Sequence, residues 1–193
     1  ERVNGRYVNK VSISNGPAAQ RGLYVGTIRS DASSQINDSL AKRHVWNTYN
    51  RAPRPMRVTE ATDNYTYTTA TIRQANGAAG NQLDMVRGLD EDVAMVQAQH
   101  LVRNGLAGSV TVMTGIGLDS TSARATGNIG GYSHTKAAAI REPLHTLWEG
   151  LPGLGSHYLA WLEYSEATDT STWLGDNGVP TLHQAGISGT VLA

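Results

Sequence analysis

The chain has 193 residues, 39% of them hydrophobic, with 16 Lys plus Arg balanced by 16 Asp plus Glu and no Cys. That length suits one domain, or one domain with a short attached segment. Zero net charge argues against a nucleic-acid partner, since phosphate contacts favour a basic excess, and the lack of Cys excludes disulfides, thiolate zinc sites and a Cys nucleophile.

Residues 1–20 read as an N-terminal arm, with weak alternation over 7–13 and a turn at Asn15-Gly16-Pro17. The chain opens on Glu1 rather than Met, so it reads as processed or as the ordered part of a longer polypeptide. From 21 to 193 the composition is that of one β domain: Thr, Gly and Asn are abundant, and the Glu and Lys of surface helices are scarce. Alternation predicts strands at 22–28 and 43–49, the second with His44, Trp46 and Thr48 on one face and Val45, Asn47 and Tyr49 on the other. Pro53 and Pro55 mark an edge or a bend, with pairing resumed over 56–60. The Thr- and Tyr-rich run 65–73 is the clearest β composition.

Residues 76–80 read as a loop. Strands are predicted at 82–89 and 93–102; in the second, strand is preferred to helix because Met95, Gln97 and Gln99 alternate with Val96, Ala98 and His100. Residues 109–118 form a strong strand with Val110, Val112, Thr114 and Ile116 on one face, and 119–131 a long loop. The run 136–141 has the chain's one helix-like composition, and Pro143 interrupts it. Residues 151–155 read as a tight connection. Strand 157–164 is expected to pair with 170–174 across the turn 166–169. Gly175-Asp176-Asn177-Gly178 is a turn, and 187–192 the last strand. Eight to eleven short strands without βα alternation predict an all-β fold: an antiparallel, jelly-roll-like β-sandwich with long loops and at most one short helix.

Little in this pattern points to chemistry. Gly186-Ile187-Ser188-Gly189 does not make the nucleophile elbow of a serine hydrolase. The six His show no metal-ligand spacing, and His157 reads as a packed histidine beside Leu159 and Trp161. Asp90-Glu91-Asp92 has the charge to hold calcium but lacks the spaced ligand loop, so it reads as a solvated turn. Glu163, next to aromatic residues, is the best candidate for one carboxylate of a glycosidase pair. Gly150-Leu151-Pro152-Gly153-Leu154-Gly155 lacks the Lys and the flanking elements of a phosphate loop. Asn64-Tyr65-Thr66 is formally a glycosylation acceptor. No catalytic, cofactor-binding or metal residue is assigned and no cofactor is expected. Trp148, Trp161 and Trp173 are the candidate glycan-stacking or interface aromatics. No apolar run approaches the roughly 20 residues of a membrane-spanning helix, and no secretory signal is visible.

Several stretches resemble tailed-bacteriophage virion proteins of the fibre, spike or decoration kind. They are Gly22-Leu23-Tyr24-Val25-Gly26-Thr27-Ile28-Arg29, Val45-Trp46-Asn47-Thr48-Tyr49-Asn50-Arg51, Tyr65-Thr66-Tyr67-Thr68-Thr69-Ala70-Thr71-Ile72-Arg73-Gln74-Ala75-Asn76 and Tyr158-Leu159-Ala160-Trp161-Leu162-Glu163-Tyr164-Ser165, joined by Thr172-Trp173-Leu174-Gly175-Asp176. The resemblance runs from about Gly22 to the C-terminus and carries no catalytic or binding residue with it. In such relatives a further N-terminal segment often precedes this region; here it would be absent or reduced to residues 1–20. The resemblance implies a non-enzymatic structural protein at the particle surface, a capsid decoration protein or a head- or tail-fibre component made in the host cytoplasm. It implies a symmetric homo-oligomer, a homotrimer by preference, attached through the arm to major capsid or tail proteins. The alternatives are a module binding host-surface glycan or receptor and, behind it, a glycan-cleaving enzyme.

Overall fold

The computed structural model describes residues 1–31, 35–105, 108–135 and 140–193. The expected helix-like run falls largely on 136–139, outside the described residues. The fold is an antiparallel β-sandwich. One sheet contains β6 (Pro53–Thr59), β7 (Asn64–Tyr67), β10 (Ala94–Asn104), β12 (Ile129–Gly130), β14 (Glu142–Gly150), β16 (Ser171–Leu174) and β17 (Gly186–Leu192). The facing sheet contains β4 (Lys42–Arg43), β8 (Arg73–Gln74), β9 (Gln82–Arg87), β11 (Val110–Leu118), β13 (Tyr132–Thr135) and β15 (Gly155–Ser165), with β4 lying parallel to β9 as the exception to the antiparallel pairing. Two short ribbons precede the sandwich: β1 (Arg2–Val3) with β2 (Arg6–Tyr7), and β3 (Gly26–Ile28) with β5 (Val45–Asn47). A 3-10 turn at Ala75–Gly77 is the sole helical element among the described residues.

Each sheet is organised on one long strand whose far side is shared by two shorter ones. On β10 the first half pairs with β17 and the second with β16, while β14 runs along its other side. On β15, β9 takes residues 155–160 and β8 takes 162–163, opposite β11. From β9 to β16 successive strands alternate between the sheets, the crossing pattern of a jelly roll. β10 and β14 hide one face each and alternate with period two, whereas β11 and β15 are buried on both faces over most of their length: β10 buries Val96, Ala98, His100 and Val102 and exposes Met95, Gln97 and Gln99.

The predicted inward faces of 43–49 and 109–118 are found: His44, Trp46 and Thr48 are buried, as are Val110, Val112, Thr114 and Ile116. β6 is an edge strand paired with β17 alone, and Pro53 and Pro55, two residues apart, turn their missing N–H groups to the same unpaired side. The turn after β16 places Asn177 and Gly178 at φ 53° and 68°, the left-handed region that these residues tolerate.

Three expectations are corrected. The run 65–73 is not one strand. β7 ends at Tyr67, whose hydroxyl bonds the Thr71 carbonyl at 2.8 Å, and the chain crosses to the other sheet so that Arg73 joins β15. Residues 171–174 do not pair with β15; they pair with β10 and β7. The turn 166–169 thus passes between layers, tied by a 2.6 Å bond from Ser165 Oγ to Ser171 Oγ. Of 22–28, strand pairing extends only over β3, and Leu23 forms a single bridge with Val8. That segment packs one side on Trp46 through Tyr24, at 6.1 Å between ring centroids, and leaves Leu23 and Val25 outside.

Candidate functional site

The richest polar constellation lies between the sheets. Tyr65 on β7 donates its hydroxyl to Glu163 Oε2 on β15 at 2.7 Å, and its oxygen lies 3.1 Å from His100 Nε2 on β10. His100 Nδ1 lies 3.1 Å from Thr114 Oγ1 on β11, which accepts a 3.1 Å bond from the Trp161 indole. With the Tyr65 proton on the carboxylate, the neutral tautomer that satisfies both contacts of His100 donates from Nε2 and accepts at Nδ1 from the Thr114 hydroxyl, which also lies 3.3 Å from the Leu162 carbonyl. The donors therefore run in one direction, Trp161 to Thr114 to His100 to Tyr65 to Glu163, and polarise one another. The His100 ring lies between Trp161, stacked at 4.1 Å, and Trp173, edge-on at 4.6 Å.

Glu163 collects further donors. Arg73 reaches Oε1 through both Nε and Nη2 at 2.7 Å, and the Asn76 N–H reaches the same oxygen at 3.2 Å. Asn76 sits at φ 55°, which Asn tolerates, and its side-chain amide bonds Glu60 Oε2 at 3.1 Å. Glu60 also accepts from Asn81 Nδ2 at 3.0 Å and the Thr62 N–H at 2.9 Å. Two buried carboxylates are thus bridged by one residue.

Burial pushes the Glu163 carboxyl up; the Tyr65 hydroxyl and the Arg73 guanidinium act against that shift. Burial also acts upward on Glu60, but the bonds from Asn81, Thr62 and Asn76 together outweigh it and hold this carboxyl below its ordinary value. Desolvation, then the charge of His183, pushes His100 well below the ordinary imidazole value. The folded state therefore keeps His100 neutral where an unfolded chain would begin to protonate it. This contribution is complete above about pH 6.5 and is lost as pH falls through the folded value. Glu163, with its pKa raised, acts in the opposite sense. Replacing His100 by Gln is expected to flatten the fall of unfolding free energy between about pH 6.5 and 5, read from urea titrations at several pH values. An unchanged slope would show that His100 is not held neutral.

The arrangement has the order of an acid–base relay, but Glu163, Thr114 and Trp161 are each 0% exposed. The partly exposed Arg73 lies over it, its guanidinium 3.7 Å from the Tyr67 ring centroid. The geometry ties five strands, β7, β8, β10, β11 and β15, and a turn together around a carboxylate that is wholly buried. Glu163 is therefore not placed as a glycosidase carboxylate facing substrate. The tryptophan expectation is corrected too. Trp148, Trp161 and Trp173 are 3%, 0% and 0% exposed, and Trp46 is buried as well, because the sandwich uses the large rings to fill its interior in the absence of Phe. None offers a face to a glycan or to a neighbouring subunit.

The other candidates resolve into local structure. Asp92 and Glu91 pair with Arg51 at 2.5 and 2.9 Å, holding the N-terminal third to the body. Among the described residues no group of three or more His, Asp or Glu could hold a metal ion. His157 bonds Asp119 at 2.7 Å and the Leu154 carbonyl at 3.1 Å near the surface. Residues 151–154 carry the chain from β14 to β15, with Gly153 at φ 98°. Asn64-Tyr65-Thr66 lies within β7.

The main open concavity runs over the outer face of the first sheet. A cavity of about 260 Å³ lined by Arg57, Gln97, Gln99, His145 and Ser188 continues into one of about 620 Å³ lined by Leu40, Met95, Leu147 and Thr190. No carboxylate lines either, and the Ser188 hydroxyl meets the Gln97 amide at 3.5 Å, not a histidine. The groove carries amide, guanidinium and imidazole groups suited to hydrogen bonding. The sequence reading missed it because its residues come from strands far apart in the chain, although the outward alternation of Gln97 and Gln99 was visible.

No protein-family model matches the chain, and no curated protein does. Among solved structures, a CocE/NonD family hydrolase from Staphylococcus aureus is similar over 86% of this chain at 6% identity, with a TM-score of 0.36. The chain spans 40% of the length of that structure. Among the described residues no helix is long and apolar enough to cross a membrane.

Proposed function

We propose that the chain is a non-enzymatic structural protein of a bacteriophage particle. It is exposed on the particle surface as a capsid decoration protein or a head- or tail-fibre component, and it assembles as a symmetric homo-oligomer. One observation carries this reading. Tyr65, Arg73, Asn76, Trp161, Glu163 and Trp173 all fall within the stretches that resemble virion proteins, and all belong to the buried cluster tying the two sheets. On this reading the stretches that resemble those proteins build the frame of the sandwich rather than a reactive site.

The direct test is quantitative mass spectrometry of purified particles with antibody labelling in electron micrographs. The chain is expected at a fixed stoichiometry matching a symmetric position on the head or tail. Its absence from washed particles would overturn the reading, as would hydrolysis of host polysaccharide that co-purifies with the protein. The outer groove favours a second reading, recognition of a host-surface glycan through Arg57, Gln97, Gln99 and Ser188. Saturable polysaccharide binding lost in Gln97→Ala/Gln99→Ala would move the assignment to a receptor-binding module.

A further inference from the structure

Charge is divided along this neutral chain. Residues 1–57 hold ten of the 16 Lys and Arg and three of the 16 Asp and Glu; residues 58–193 hold the other six bases and 13 acids. The first segment is therefore +7 and the rest −7. Part of this complementarity is satisfied within the molecule, where Arg51 pairs with Glu91 and Asp92. Much of it points outward, for Arg6, Lys10, Arg21, Arg29 and Arg57 are exposed.

The same segment is exposed and apolar. Its described residues up to 55 include only four buried ones: Arg43, His44, Trp46 and Thr48. On the ribbon of β3 and β5, Ile28 and Val45 are cross-strand partners, and both are exposed, at 63% and 40%. Leu23 and Val25 lead into that pair. On the acidic body, the turn after β16 exposes apolar side chains beside the carboxylates of Asp176, which accepts the Gly178 N–H, and of Asp63. Leu182 is 85% exposed and Val179 41%, beside Asp176 and the Asp63 backbone that holds the turn. The molecule exposes 9976 Å², where a compact monomer of its 20.6 kDa exposes about 8,900 Å². The excess, about 1,100 Å², is on the scale of the roughly 800 Å² that each partner buries in a standard interface.

We propose that the basic, apolar ribbon around Ile28 and Val45 of one copy docks on the acidic, apolar 176–182 turn of a second copy, and that this contact repeats to close a ring. The two patches differ, so the contact is heterologous, and a heterologous contact that closes gives cyclic symmetry. The inference rests on the oligomeric part of the proposed function and names the surfaces that would carry it.

The test uses the full chain in light-scattering chromatography and sedimentation velocity at 50 and 500 mM NaCl, with Ile28→Asp and Leu182→Asp. Both side chains are exposed in the monomer, so circular dichroism and thermal midpoints should match wild type. Should either variant fail that control, Arg29→Glu and Val179→Ser replace it. The wild type is expected to be a closed oligomer at low salt, with at least tenfold weaker association at high salt. Each variant alone is expected to be monomeric. An equimolar mixture should form heterodimers and stop there, since each variant keeps one intact patch and one contact can form. Wild-type monomer at all salt concentrations, salt-insensitive assembly, or an oligomer untouched by either substitution would overturn the inference. The particle test reads separately: a solution oligomer missing from particles sinks the virion reading and leaves the interface standing, and a monomer found in particles does the reverse.

Discussion

Replacing Glu163 by Ala is expected to lower the unfolding free energy by about 3–5 kcal/mol, the cost of removing one partner from a buried charged cluster. The methyl group leaves the Tyr65 hydroxyl, the Arg73 guanidinium and the Asn76 N–H without their shared acceptor. Domains of this size are stable by about 5–15 kcal/mol, so the variant would be marginal at 37 °C. Glu163→Gln keeps one carbonyl acceptor and should cost less. Its cost also carries a sign. Burial raises the Glu163 pKa, so the stability this carboxyl contributes is full below the ordinary carboxylate value near 4.5 and is lost as pH rises through the folded value. The gap between Gln variant and wild type should therefore narrow from pH 5 to pH 8 in urea unfolding. A gap that widens would mean that Arg73 and Tyr65 dominate over burial.

Trp161→Ala is the second large effect, about 3–5 kcal/mol from emptying the volume of a wholly buried indole. The loss extends beyond the cavity. Trp161 stacks on His100 at 4.1 Å and donates to Thr114, so its removal frees the ring that positions the relay of hydrogen bonds. Trp161→Phe separates these parts: it retains most of the aromatic packing and removes the N–H, for an expected cost of about 1–2 kcal/mol. Thermal and urea denaturation give both values. If Phe proved as damaging as Ala, the hydrogen bond to Thr114 rather than the filled volume would be the dominant contribution.

Assembly tests bear on the fold as well. An oligomer built through the N-terminal ribbon would cover Leu23, Val25 and Ile28, which the sandwich itself leaves in water. Leu23 and Val25 share one parity of a stretch whose alternation alone predicts a buried face, and Ile28 lies on the other parity. Exposure of such residues on a short two-stranded ribbon is the pattern expected where a neighbour supplies the missing layer.

What the sequence determined by itself is local. Period-two alternation settled the all-β class, the strand expected at 93–102 and found as β10, and the inward faces of β5 and β11, because a side chain's face depends only on its parity along the strand. Pro53 and Pro55 marked an edge because a missing N–H acts at its own position, and Asn177-Gly178 marked a turn because φ is a property of the residue. Tertiary structure decided the rest: that 65–73 splits between sheets, that 171–174 leaves β15 for β10, and that the tryptophans turn inward. It also brought Tyr65, His100 and Glu163 together, the first two 35 positions apart and Tyr65 and Glu163 98 positions apart. Strand pairing joins backbone groups that every residue carries, so the sequence shows which segments can pair but not which do. The choice is made by the packing of whole faces against each other, and that exists only in the assembled sandwich.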